Sequence, residues 1–140
     1  MAITTTTHLN FRGDARAALE FYQSVFGGDL VAVTYADAHA VTSESEANQI
    51  MWGQVTSEAG FHVMAYDVPG YLEHEPGKNP VFVSVHGADA DELGRYWSAL
   101  VVGGDVVVEL APAAWSPLYG MVRDQFGVTW VLDVEVPYEA

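Results

Sequence analysis

The sequence predicts an α+β fold of two tandem β-α-β-β-β modules, and three observations carry that expectation. First, GDARAALEFYQSVFGGDLVAV from Gly13 matches DADELGRYWSALVVGGDVVVE from Asp89 at an offset of 76 residues, so that Gly27, Gly28 and Asp29 fall on Gly103, Gly104 and Asp105. Self-similarity at a fixed spacing marks a repeated architecture. Second, each copy reads as an extended run, an amphipathic helix, GGD and another extended run. Third, two more strand-like runs follow in each half. A single module of about 65 residues buries too little surface to be comfortable alone, so the halves are expected to pack into one domain over 1–140.

In the first module Thr5 to Phe11 is the opening strand, and Asp14 is placed as the helix N-cap. Ala18, Phe21, Tyr22 and Val25 form an i, i+3, i+4, i+7 stripe, and Gly27 and Gly28 end the helix. Strands are expected at Leu30 to Tyr35, Gln49 to Thr56 and Phe61 to Tyr66. Asp67 to Asn79 is polar and bears Pro and Gly, which reads as a linker. Module one therefore spans about 1–68, the linker about 67–79 and module two about 80–140. In the second module Val81 to Val85 is the strand, Asp89 the cap, and Leu93, Tyr96, Trp97 and Leu100 the buried stripe. Val106 to Leu110, Tyr119 to Arg123 and Val128 to Val134 complete it.

Five Lys and Arg stand against nineteen Asp and Glu, a net charge of −14, which is too acidic for a phosphate-binding surface. Nucleic acid is excluded as a partner on that ground. Four Trp, seven Tyr and six Phe are too many for a disordered acidic chain. With no cysteine there is no disulfide framework, thiolate metal site or thiol nucleophile, and a reducing compartment fits. The start MAITTTTHLN lacks a basic and apolar leader, and no apolar run approaches the roughly 20 residues of a membrane span. A cytoplasmic protein without membrane contact is the expectation.

Three stretches, HLNFRGDARAALEFYQSVFGGDL, FHVMAYDVP and WSPLYGMVRDQFGVTWVLDV, are similar to the PhnB-like branch of the vicinal oxygen chelate superfamily. That superfamily includes glyoxalase I, bleomycin-resistance proteins and extradiol dioxygenases. The most specific piece holds Trp115, Tyr119, Gly120, Asp124, Phe126, Gly127 and Trp130; the helix with Phe21, Tyr22 and Gly27 is shared more widely. The resemblance implies paired modules whose mixed sheets curl around a cavity, with helices outside and a homodimer as the usual assembly. Metal-dependent members take one ligand from the first and last strand of each module, where His and carboxylate leave positions open for two substrate oxygens. Here those positions fall at or near His8, Met64, Pro80 and Val131. A thioether, an imino acid and an aliphatic side chain do not make a hard N/O site, so no metal and no other cofactor is expected.

Strand alternation groups His8 with Asn10 and Arg12 opposite Leu9 and Phe11, and His62 with Met64 and Tyr66 opposite Phe61, Val63 and Ala65. Leu9 and Phe11 suit coverage by a helix, which assigns His8, Asn10, His62 and His86 to the cavity. His39 and His74 sit in polar loops. Trp52 and Gln54 alternate where related sequences often carry His and Glu, which keeps a wall but removes an acid-base couple. Any catalytic carboxylate then comes from Asp133, Glu135 or Asp67.

Phe82, Trp115, Tyr119 and Met121 can line an apolar slot, whereas Trp130 is placed under the second helix. Arg12 and Arg123 either clamp a substrate anion or balance Asp14 and Asp124. The candidate ligand-binding set is thus His8, Asn10, Trp52, Gln54, His62, Met64, Phe82, His86, Trp115 and Tyr119. Relatives of this branch are sometimes labelled methyltransferases, but the chain has no G-x-G turn between strand and helix for a nucleoside cofactor. Three readings stay open: a metal-free binding protein for a small organic molecule, a lyase or dioxygenase-type enzyme with a displaced metal or His-based site, and an accessory protein that works through an interface.

Overall fold

The structure, a computed structural model, describes residues 3–136. The outermost ends of the two expected modules lie outside the described residues. Two compact units meet between Pro76 and Gly77, inside the expected linker. The first unit contains β1 (Thr7–Phe11), α1 (Ala15–Phe26), β2 (Asp29–Thr34), a 3₁₀ turn at Glu44–Glu46, β3 (Ile50–Thr56) and β4 (His62–Asp67). The second contains β5 (Phe82–Gly87), α2 (Ala90–Leu100), β6 (Asp105–Ala113), β7 (Ser116–Arg123) and β8 (Thr129–Val134). The sheets run β1-β4-β3-β2 and β5-β8-β7-β6. In each, the first strand pairs in parallel with the last and the other pairs are antiparallel. Neither sheet closes on itself, and the fold is α+β with two β-α-β-β-β modules.

Register shows the repeat more fully than the sequence does. Asp29 opposite Thr56 has its counterpart in Asp105 opposite Arg123, and Gly53 opposite Ala65 in Gly120 opposite Leu132. The offset is therefore 76 through the first three elements of each module and 67 through the last two. The difference lies in the connection before β3, residues 35–49, where module two has only the turn Ala114–Trp115 between β6 and β7. The glycine doublets recur for a steric reason. A Cβ on Gly28 would lie 2.2 Å from the Thr56 carbonyl oxygen, and one on Gly104 would lie 2.4 Å from that of Arg123.

Each helix covers one face of its own sheet. Ala15, Ala18, Leu19, Tyr22, Val25 and Phe26 of α1 are buried, as are Phe11, Val55, Val63 and Ala65 of the strands beneath. Phe21, expected in the stripe, is only half-buried; Leu19 takes its place over Gly53. Phe61, just before β4, stacks on Phe26 with centroids 3.8 Å apart. In module two Leu93, Trp97 and Leu100 pack over a layer containing Val122, Trp130, Leu132 and Val134. Each fully buried aliphatic or aromatic side chain contributes about 1.5–3 kcal/mol.

The helix starts correct one expectation. Asp89 caps α2 as predicted, its carboxylate accepting from the Asp91 and Glu92 backbone N–H groups. Asp14 stands at the N-cap of α1 but its side chain makes no cap hydrogen bond. Asp67 supplies the acceptor from the end of β4: Oδ1 takes the Gly13 and Ala15 N–H groups at 2.6 and 3.1 Å, and Oδ2 takes Ile50 N–H at 2.8 Å. Asp67, Val68 and Pro69 are buried, so the exposed connection begins after them rather than at 67. The Arg12 guanidinium fastens that corner by donating to the carbonyls of Val68, Pro69 and Leu72, and not to Asp14. Among the described residues no helix is long and apolar enough to cross a membrane.

Candidate functional site

Side chains alternate across a strand, so the face away from each helix is fixed by the residues that the helix buries. In module one the open face carries His8 and Asn10 from β1, His62, Met64 and Tyr66 from β4, and Trp52 and Gln54 from β3. Register lines them into rows. One row crosses the sheet as His8, Met64, Gln54 and Val31. The next joins Asn10 to Tyr66. In module two the corresponding rows are Ser84, Val131, Met121 and Val108, and then His86, Asp133, Tyr119 and Ala111.

The polar groups of module one are engaged with one another. His62 lies between Gln54 and Thr6, with Nε2 3.0 Å from Gln54 Oε1 and Nδ1 3.2 Å from Thr6 Oγ1. A carbonyl oxygen only accepts, so Nε2 carries the proton and Nδ1 accepts from the threonine hydroxyl. His8 Nδ1 lies 3.2 Å from Asn10 Oδ1 and the ring meets Tyr66 edge-on, centroids 5.1 Å apart. By the same logic Nδ1 donates, and the lone pair of His8 is at Nε2. Thr6 and Tyr66 were not among the sequence candidates. Strand alternation points to Tyr66 beside Met64, but nothing in the sequence pairs Thr6 with a residue 56 positions away.

Module two has a different face. His86 Nδ1 lies 3.9 Å from Asp133 Oδ1, with their side chains 57% and 28% exposed, so the two can form an ion pair when the imidazole is protonated. Tyr119 stands directly across the β7/β8 ladder from Asp133, and Trp115 meets Tyr119 edge-on at 5.2 Å. Trp115 is 64% exposed. Phe82, two places along β5 from Ser84, is also exposed. An imidazole, a carboxylate, a phenol and an indole are thus brought together within one module, whereas His62, Gln54 and His8 belong to the other.

Two other expected carboxylates take different roles. Asp67 is 1% exposed, lies on the helix side and holds three backbone N–H groups, so it is a structural anion and not an acid-base candidate. Glu135 lies just beyond the end of β8, where its N–H donates to the Gly87 carbonyl. Trp130 is fully buried and donates Nε1–H to Asp124 Oδ2 at 2.8 Å, and Asp124 Oδ1 accepts from Phe126 and Val128 N–H.

The positions at which the resemblance implies a resident metal carry few nitrogen or oxygen donors. Met64 does face His8 across the β1/β4 ladder. The partner of Val131 is Ser84, however, because β5 begins at Phe82 and Pro80 lies outside the ladder. The four positions are then an imidazole, a thioether, a hydroxyl and an alkyl group, and they do not fit a divalent N/O site. Among the described residues no group of three or more His, Asp or Glu side chains converges as a metal cluster.

The family model described as Glyoxalase/Bleomycin resistance protein/Dioxygenase superfamily matches residues 6–132. Protein PA1353 from Pseudomonas aeruginosa is similar in structure, with a TM-score of 0.86 and 27% identity over 96% of this chain and 98% of that one. A PhnB protein from Bacillus cereus, which carries a 3-demethylubiquinone-9 3-methyltransferase label, gives 0.76 and 22% over 95% and 100%. A glyoxylase/bleomycin resistance protein/dioxygenase domain from Frankia sp. EAN1pec gives 0.66 and 10% over 97% and 99%. No curated protein matches the sequence.

Proposed function

The chain belongs to the Glyoxalase/Bleomycin resistance protein/Dioxygenase superfamily, and on that premise we propose that it binds a small organic molecule on the open faces of its sheets, without a resident metal. The observation that carries this reading is the donor set of the paired rows: His8, Met64, Gln54 and Val31 in one module and Ser84, Val131, Met121 and Val108 in the other. Each of these rows holds at most one imidazole and no carboxylate, so each by itself offers shape, stacking and hydrogen bonds rather than a set of hard donors. His8, Asn10, Trp52, Gln54, His62 and Met64 are proposed to line the face of module one, and Phe82, His86, Trp115 and Tyr119 that of module two. Methyl transfer receives no support, since neither mixed sheet has the doubly wound parallel order that holds a nucleoside cofactor. Native mass spectrometry of untagged protein tests the reading. An organic adduct near one per chain is expected, and stoichiometric Ni, Zn, Fe or Mn overturns it.

A second reading, an enzyme with a His-based site, is favoured by the 3.9 Å approach of His86 to Asp133. There the carboxylate would orient an imidazole that accepts a proton from the substrate. Turnover lost in His86→Ala, and kept in His8→Ala, is what this reading requires.

Assembly as a homodimer belongs to the same proposal, as does residence in the cytoplasm with no nucleic-acid or membrane partner. Edge strand β6 leaves Val106, Val107 and Val108 exposed, and a second copy can cover such an edge. Charge of −14 per chain opposes pairing, but that repulsion is screened beyond about 8 Å at physiological ionic strength while apolar burial is not. Sedimentation should therefore show a dimer that tightens modestly as salt rises. A chain that stays monomeric at tens of micromolar across the range contradicts it.

A further inference from the structure

The repeat supplies its own control for what module two has acquired. Position by position, Asn10, Tyr66 and Trp52 of module one correspond to His86, Asp133 and Tyr119 of module two. A neutral amide, phenol and indole are replaced by an imidazole, a carboxylate and a phenol on the same rows of the same topology. Asp133 is the charged member, and it is not consumed by the fold: it lies on the open side of β8, whereas the buried anions Asp67 and Asp124 are each held by backbone N–H groups.

Neither the strand that carries Asp133 nor its neighbour β5 supplies a Lys or Arg beside it. Arg123 of β7 is opposite Thr129, four residues along β8 from Asp133 and so roughly 13 Å away. β6 adds only Asp105 and Glu109. His86 can balance the carboxylate only when protonated. Beside this carboxylate stand Tyr119 and the exposed Trp115, two rings set edge to face at 5.2 Å.

We propose that His86, Asp133, Tyr119 and Trp115 form a binding site for a small organic cation bearing a flat apolar group. The carboxylate takes the charge, and the indole and phenol take the flat part by stacking and by cation–π attraction. The acidity of the whole chain raises the local concentration of cations, so capture is faster at low salt than at high salt. A protonated His86 competes for the same carboxylate. The inference rests on the reading of the protein as a small-molecule binder and names the ligand class for one of its faces.

Benzyltrimethylammonium, benzyl alcohol and phenylacetate, titrated separately into the full chain by calorimetry and heteronuclear NMR, test it. The cation is expected to bind at least tenfold more tightly than the other two, with shifts at Trp115, Tyr119 and Asp133. Asp133→Asn should bring the cation down to the level of benzyl alcohol while leaving benzyl alcohol unchanged, and Asp133→Glu should restore part of the difference. Trp115→Ala should weaken both. Equal affinity for the three probes, or a cation affinity indifferent to Asp133→Asn in a folded variant, overturns the inference. If native mass spectrometry still finds an organic adduct, only the ligand class falls; if it finds none, the binding reading falls with it.

Discussion

The two helices begin within one residue of each other in the aligned modules, and their N-termini are satisfied by different means. In module two the acceptor is local: Asp89 precedes α2 and takes the Asp91 and Glu92 N–H groups itself. In module one it is remote: Asp67 reaches from β4 to Gly13, Ala15 and Ile50, and Val134 stands at the corresponding place in module two. A helix needs its first N–H groups satisfied, but not by any particular residue. Identical topology therefore does not imply equal distribution of stability. The start of α1, the end of β4 and the start of β3 hang together on one buried carboxylate, while α2 holds its own start.

The largest expected effect follows from that difference. Asp67→Ala strands three backbone donors and should cost about 3 kcal/mol or more, since hydrogen bonds to a charged group are each worth about 1.5–3. Asp89→Ala should cost only about 1 kcal/mol, the usual value of a cap. Urea denaturation of both variants checks the order; equal costs would erase the distinction between the modules.

A smaller effect concerns how each helix sits on its sheet. A Cβ on Gly120 would meet the Leu110 backbone and the Trp97 ring at 2.9 Å, whereas one on Gly53 would meet the end of the Leu19 side chain. A ring and a backbone yield less than a leucine methyl. Both substitutions to Ala should destabilise by about 1–3 kcal/mol, with Gly120→Ala the more costly. The reverse order in thermal melts would mean that α1 is the more tightly seated helix.

Alkaline titration separates the modules further. Tyr35 donates to the Asp67 carbonyl at 2.7 Å. Burial above all, with Tyr66, Tyr71, Asp67 and Glu46 nearby, pushes its phenol up from 10.0 to about 12. Ionisation is harder in the folded chain, so this contribution to stability is whole below pH 10 and is lost as pH climbs from 10 through about 12. In module two burial and then Glu92 raise Tyr96. Phenolate absorbance should show a late-ionising tyrosine that disappears in Tyr35→Phe; a titration unchanged in that variant contradicts the buried bond. The smallest effects belong to the open faces. His8→Ala and His86→Ala should shift stability by no more than about 0.5 kcal/mol, as exposed positions do. A thermal midpoint lowered as far as in a core truncation would place either ring under its helix.

Much of this fold was legible because its signals are local. The GGD repeat, the two-residue alternation and the Asp89 cap gave the modules, the strand faces and one helix start, and they put His8, Asn10, His62 and His86 on the side away from the helices. Contacts that the chain closes only after folding were not legible. Asp14 is the cap the sequence predicts, and it yields to Asp67, which reaches Gly13 across 54 positions. The resemblance puts a ligand position at or near Pro80, whereas the ladder puts Ser84 opposite Val131. Arg12 has an acidic neighbour at Asp14, yet its fork spends its donors on carbonyls of the corner after β4. Likewise His86, Asp133, Tyr119 and Trp115 were each named, and only the register of three strands puts the first three in one row.

The histidines of module one are engaged with neighbours on their own face, His62 with Gln54 and Thr6 and His8 with Asn10, whereas the proposal leaves Asp133 of module two to a ligand. Long-range ¹H–¹⁵N spectra of the imidazoles, recorded at a pH where all are neutral, test the first half of that contrast directly. The account predicts His62 in the Nε2–H tautomer, held by Gln54, with His8 in the Nδ1–H tautomer, held by Asn10. Gln54→Ala should change the His62 pattern alone. Finding His8 in the Nε2–H form that free imidazole prefers, together with a His62 indifferent to Gln54→Ala, would show that module one's histidines are unengaged and contradict the division between the two faces.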